Sequence, residues 1–247
     1  MRWIAIVLMA FLASCAAPLP TYPPMEPDAA IQVMRERDGL VKTVQSSCEV
    51  TLRDKEGSSV SFDAAIVAAW PDRLRLRAWK FGSPAFDVTF TPEGLWVFMP
   101  EEARRRAGGK AESFGVTAEQ FGKVWKLMGP RAMEDTREVE RRPDSAASFT
   151  VARAFGDQGG KLEFDIDRAT LTVGTCRFID GDGVVRQTLT MDRYRVVKLG
   201  EATIVWPMRI AAEGEGGRIV VRLRGPEFNE EPTEEAFVPP RRATKQP

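Results

Sequence analysis

Residues 60–99 read VSFDAAIVAAWPDRLRLRAWKFGSPAFDVTFTPEGLWVFM, and their hydrophobic period is two. Val60, Phe62, Ala64, Ile66, Ala68 and Trp70 share one face. Leu74, Leu76 and Ala78 follow, with Arg73, Arg75 and Arg77 turned the other way. Phe86, Val88 and Phe90 continue the pattern, then Leu95, Val97 and Met99. Side chains alternate across a strand, so such runs mean one dry face and one wet face, as in an antiparallel sheet. Trp70-Pro71-Asp72-Arg73 and Thr91-Pro92-Glu93-Gly94 interrupt the pattern with turn chemistry. The stretch predicts an antiparallel meander of about five strands.

Moving toward the C-terminus, residues 101–116 are charged and glycine-rich and read as a loop containing Arg104-Arg105-Arg106. Thr117 to Gln120 matches a capping box; Phe121, Val124, Trp125 and Met128 recur at helical spacing, and Gly129-Pro130 stops the helix. Period two then returns in Phe149 and Val151, in Leu162, Phe164 and Ile166, in Leu171 and Val173, and from Val184 to Tyr194. Met208 and Ile210, then Ile219, Val221 and Leu223, complete the set. Toward the N-terminus a helix is expected from Asp28, as N-cap, to about Lys42, with Ile31, Met34 and Val41 on its apolar face. The expected domain, residues 28–240, is mainly β (α+β), with about 10–11 strands and two helices; a basic tail, 241–247, follows.

The 247 residues are 43% hydrophobic and 28% charged, the balance of a folded chain. Lys plus Arg and Asp plus Glu are 35 each, so no net field draws the chain to nucleic acid. There is no histidine, which removes His-based triads, His-ligated metals and imidazole acid–base pairs. Three cysteines are too few for an all-cysteine zinc site. No cofactor, metal or catalytic residue is expected, and the chain does not read as an enzyme.

The chain opens Met1-Arg2 and runs from Trp3 to Leu12 without a polar residue, a span too short to cross a bilayer as a helix. This is the layout of a secretory signal. Leu12-Ala13-Ser14-Cys15 resembles the bacterial lipobox, which implies a signal peptide over 1–14 and a diacylglyceryl group on Cys15. Residues 15–27 then form a proline-dense leash, with Pro18, Pro20, Pro23, Pro24 and Pro27. Ala16, not Asp, follows the cysteine, and the resemblance then implies an outer-membrane lipoprotein facing the periplasm.

Three segments resemble the LolA/LolB superfamily of lipoprotein carriers and receptors: Ala69 to Leu76 with its Pro-Asp-Arg turn, Phe81 to Val88, and Phe228 to Pro240. The resemblance implies a single curled antiparallel sheet forming an unclosed barrel, with helices as a lid and acyl chains on its inner face. The implied lining is Phe62, Ile66, Leu76, Phe86, Val88, Val97 and Met99, lidded by Trp125 and Met128; the same residues also suit a plain dry core. Phe81 matches the position where the receptor branch projects an apolar residue toward the membrane.

Three other features read as structural: Asp165 and Asp167 as a solvated turn, Arg104 to Arg106 as a solvated loop, and Gly181-Asp182-Gly183 as a hairpin. Cys48 and Cys176 are left as either a disulfide or two buried thiols. The expected function is acyl-chain binding by a monomeric, tethered envelope protein that aids lipoprotein or lipid transport. The alternative is a periplasmic protein-binding or sensing module on the same fold.

Overall fold

The computed structural model describes residues 17–101, 145, 147–155 and 159–246. Cys15 with the signal segment, the Arg104–Arg106 run, and the second expected helix with Trp125 and Met128 lie outside the described residues. One α-helix is present among them, α1 (Pro27–Asp38), where two were expected for the chain.

The meander forms as its alternation dictates: β1 (Thr43–Arg53), β2 (Ser59–Ala69), β3 (Arg73–Lys80), β4 (Ser83–Thr91) and β5 (Gly94–Phe98). Ile66 lies beside Leu76, and Leu76 beside Val88. Val88 in turn pairs with Val97, so one apolar row crosses four strands. The second half supplies β6 (Ser148–Phe155), β7 (Gly160–Asp167), β8 (Thr172–Ile179), β9 (Val185–Asp192), β10 (Arg195–Leu199), β11 (Ala202–Trp206), β12 (Arg209–Gly214), β13 (Gly217–Phe228) and β14 (Thr244–Lys245). A 3-10 turn spans Glu234–Phe237.

Among the described residues twelve strands form one sheet in the order β14-β5-β4-β3-β2-β1-β13-β12-β9-β8-β7-β6, while β10 and β11 pair only with each other. The pairs are antiparallel, and the two end strands are not joined to each other, so the sheet stays open as expected. The long return strand β13 unites the halves by lying along β1, with Val50 opposite Val221 and Cys48 opposite Leu223. Gly217 makes this possible. Its φ is +116°, and a Cβ there would sit 2.3 Å from the Arg53 carbonyl oxygen.

Strands exceed the expected ten or eleven because β10–β11 and β14 carry little alternation to read. Ile204, Val205 and Trp206 are buried in succession, which no one-faced strand would be. Thr244 and Lys245 of the C-terminal tail pair with Val97 and Trp96, and the Lys245 ammonium sits 5.4 Å from the Trp96 ring centroid.

Helix α1 starts two residues earlier than an Asp28 cap would place it. Pro27 takes the first helical position, where its fixed φ and missing N–H carry no penalty, and Glu26 is the cap. The helix stops at Asp38, short of Lys42: the Leu40 and Val41 N–H groups donate to the Arg37 and Asp38 carbonyls, and Val41 leaves the helix for the sheet core. Ala30, Ile31 and Met34 seal onto Phe149, Val151, Phe164, Ile166 and Leu171. Arg37 clamps this end, donating from Nη2 to the Leu171 carbonyl at 2.8 Å and from Nε to Asp38 at 2.7 Å.

The two cysteines do not form a disulfide. Both are free and buried, Cys48 on β1 and Cys176 on β8, with β13, β12 and β9 between them. Strands are spaced about 4.8 Å apart, so three intervening strands hold the sulfurs far beyond bonding reach.

Candidate functional site

One face of the sheet is apolar from β5 across to β6, but it is covered in two different ways. Over β6 to β9 and β12 it is sealed by α1. Over β1 to β5 and β13 its cover among the described residues is the β10–β11 hairpin, whose Val197, Leu199, Ile204 and Trp206 join that core. Trp206 meets Trp70 and Phe228 edge-on, at 5.7 and 5.3 Å between centroids.

All seven described lining residues lie in this second region. Phe86, Val88 and Val97 are buried, while Phe62, Ile66, Leu76 and Met99 are packed against them and remain partly accessible. Phe62 and Phe86 meet edge to face at 5.5 Å. Leu52, Val221 and the hairpin residues Val197 and Leu199 extend the accessible apolar strip. The sequence missed the hairpin because its five-residue strands show no one-faced period.

The opposite face of β2 to β4 is charged and anchored. Asp87, 5% exposed, accepts from Arg75 Nε at 3.1 Å and Nη2 at 2.9 Å and from the Thr89 hydroxyl at 3.2 Å; Arg77 Nε lies 3.3 Å away. Arg75 also donates to the Ala236 carbonyl, and Arg73 pairs with Glu234, which docks the 3-10 turn on this face. A groove of about 310 Å³ lies there, lined by Ala65, Val67, Arg75, Arg77, Trp79, Glu235 and Ala236.

Phe81 sits at the tip of the β3–β4 hairpin and is 94% exposed. Lys80 pairs with Ser83, so the loop has two residues, Phe81 with φ 52° and Gly82 with φ 76°. Positive φ at both central positions is what a type I′ turn requires, and it strains most residues other than Gly, Asn and Asp. Lys80 holds the spot from below: its ammonium donates to the Ser61 carbonyl at 2.6 Å and lies 5.1 Å from the Phe81 ring centroid. Five of the seven exposed large hydrophobics among the described residues, Val60, Phe81, Val184, Val185 and Ile219, share this end of the sheet. The N-terminal segment docks at the other end, where the Tyr22 N–H donates to the Ala169 carbonyl in the β7–β8 turn.

The remaining chemical-looking groups are occupied. Asp165 pairs with Arg177 at 2.6 Å and accepts from Thr150; Asp167 caps the turn by accepting from the Thr170 N–H and hydroxyl. Asp180 closes the Gly181-Asp182-Gly183 hairpin through the Val184 and Asp182 N–H groups and Arg186, and these bonds hold its carboxyl below the usual carboxylate range. Burial pushes the Cys48 and Cys176 thiols up to about 12.

No family model and no curated protein matches the sequence. Solved structures do match the fold. A LolA superfamily protein from Nitrosomonas europaea aligns with TM-score 0.58 at 12% identity, over 87% of this chain and 98% of its own. A protein from Vibrio parahaemolyticus, described as an outer membrane lipoprotein-sorting domain, aligns with TM-score 0.57 at 14% identity, over 85% and 94%. A DUF1329 family protein from Desulfovibrio piger gives 0.59 at 12%, over 87% and 98%. The chain has the LolA-like fold that its quoted segments resemble.

Proposed function

We propose that this chain is an envelope lipoprotein that binds acyl chains on the inner face of its open sheet and aids lipid or lipoprotein transport. The observation that carries the reading is the accessible apolar strip of Phe62, Ile66, Leu76 and Met99, flanked by buried Phe86, Val88 and Val97. A chain that buries a few hundred Å² there gains several kcal/mol, at about 25 cal/mol per Å². The LolA-like fold supports the same reading, since one relative in fold is described as a lipoprotein-sorting domain.

Cys15, acylated, tethers the domain to the periplasmic side of the outer membrane, and Phe81 with its apolar neighbours touches a bilayer interface. Tether and tip leave from opposite ends of the sheet. The leash from Cys15 to the docked Tyr22 reaches about 25 Å when extended, less than the length of an eleven-residue strand such as β1 (about 36 Å). With both in one bilayer, the strands therefore lie along the surface and do not stand on it.

The test is a titration of the Cys15→Ser chain with a fluorescent long-chain acyl probe. Saturable binding that falls at least tenfold in an Ile66→Glu, Leu76→Glu double variant supports the proposal. Absence of saturable binding by a folded chain refutes it.

A further inference from the structure

Trp206 ends β11 and is 8% exposed, and its indole Nε1 is buried without a hydrogen-bond partner among the described residues. Trp70 and Phe228 pack edge-on against it, and Met208, Val44 and Ala68 belong to the same apolar cluster, as do Phe62, Ile66 and Leu76. Buried Trp N–H groups ordinarily find an acceptor, and one left without it forfeits its solvation for nothing. No described residue supplies that acceptor, so the N–H is available to one that a ligand brings.

Resting on the acyl-binding reading above, we infer that Trp206 Nε1 receives the carbonyl oxygen of the bound acyl group, and that the ligands are neutral acyl esters or amides. An indole donates and cannot accept, and it carries no charge. A hydrocarbon chain in an apolar trough has no preferred depth, and one donor at the aromatic end fixes it. An ester or amide carbonyl satisfies that donor without bringing in a charge. A free fatty carboxylate would place an ion among Trp70, Phe228 and Met208, where desolvation opposes it. An ether-linked chain of the same length fills the trough but offers the N–H only an ether oxygen, a weaker and more hindered acceptor than a carbonyl. The site thus distinguishes acylated lipids from both soaps and alkyl ethers.

The test uses the Cys15→Ser chain labelled with nitrogen-15 at its indoles, titrated with dioctanoylglycerol and with its diether analogue, dioctylglycerol. The diester is expected to bind about tenfold more tightly than the diether, the worth of one hydrogen bond. It should also move the Trp206 indole proton downfield, and the preference for diester over diether should vanish in Trp206→Phe. Equal affinities with an unmoved Trp206 signal overturn the carbonyl assignment while acyl binding stands. Binding of neither lipid overturns the acyl reading and this inference together. The wild-type lipid comparison and indole signals decide the matter even where Trp206→Phe fails to fold.

Discussion

Replacing Phe81 by Asn should make the protein more stable and less able to hold a membrane. Phe81 has φ 52° and is 94% exposed, so its ring contributes no burial to the fold. Holding a bulky residue in the left-handed region costs about 1 kcal/mol, and Asn before Gly82 suits a type I′ turn far better. Against this stands the loss of the Lys80 ammonium contact at 5.1 Å, worth about 0.5 kcal/mol at an exposed site. The net gain is about 0.5 kcal/mol, or roughly 1–2 °C in Tm for a chain of this size. On a bilayer the balance reverses: a phenyl ring taken from water is worth about 2 kcal/mol, so vesicle affinity should fall about thirtyfold. Phe81→Ala separates the effects, since it removes the ring and keeps the strain, and should lose vesicle binding without gaining stability. The assays are thermal unfolding and co-sedimentation with phosphatidylethanolamine–phosphatidylglycerol vesicles, on the Cys15→Ser chain. A Phe81→Asn variant destabilised by more than about 0.5 kcal/mol would mean that the ring holds the hairpin together, contrary to its exposure. Unchanged vesicle binding would remove Phe81 from the membrane.

Asp87→Asn leaves the Arg75 guanidinium without its carboxylate in a nearly closed site, and should cost about 3–5 kcal/mol in urea unfolding; Arg75→Met combined with Asp87→Leu should recover most of the loss. Phe164→Ala, at a fully buried position of the α1-covered core, should cost about 3–5 kcal/mol by the same measurement while leaving acyl-probe affinity unchanged, because that core is separate from the accessible strip. With their thiols pushed up to about 12, Cys48 and Cys176 should alkylate about a thousandfold more slowly than a free thiol at about pH 8, and at ordinary rates once urea unfolds the chain. The folded state prefers both thiols protonated. That contribution is complete below the ordinary thiol pKa of about 8.5 and is lost as pH rises toward 12, so urea midpoints should fall on the alkaline side.

The alternation in residues 60–99 was enough to place β2 to β5, because a half-buried strand writes its two faces into its residues. Ile31 and Met34 likewise revealed the buried stripe of α1. What stayed hidden depends on contacts distant in sequence. The β10–β11 hairpin is buried on both faces of β11, so it shows no period. The pairing of β1 with β13 joins residues some 175 positions apart, for example Cys48 with Leu223, and no local pattern encodes it. That pairing also settles the cysteines, since it inserts β13, β12 and β9 between them. The seven described lining residues were legible as one apolar face, but their division into buried Phe86, Val88 and Val97 and accessible Phe62, Ile66, Leu76 and Met99 was not. Trp206, whose indole N–H has no hydrogen-bond partner among the described residues, lay in a segment without a strand signature.

Native mass spectrometry of the Cys15→Ser chain, released from bacterial cells without detergent, tests the central claim most directly. The account predicts a non-covalent adduct with the mass of one acylated lipid, absent from the Ile66→Glu, Leu76→Glu variant. A bare chain that also takes up no dioctanoylglycerol when it is offered in excess would contradict it.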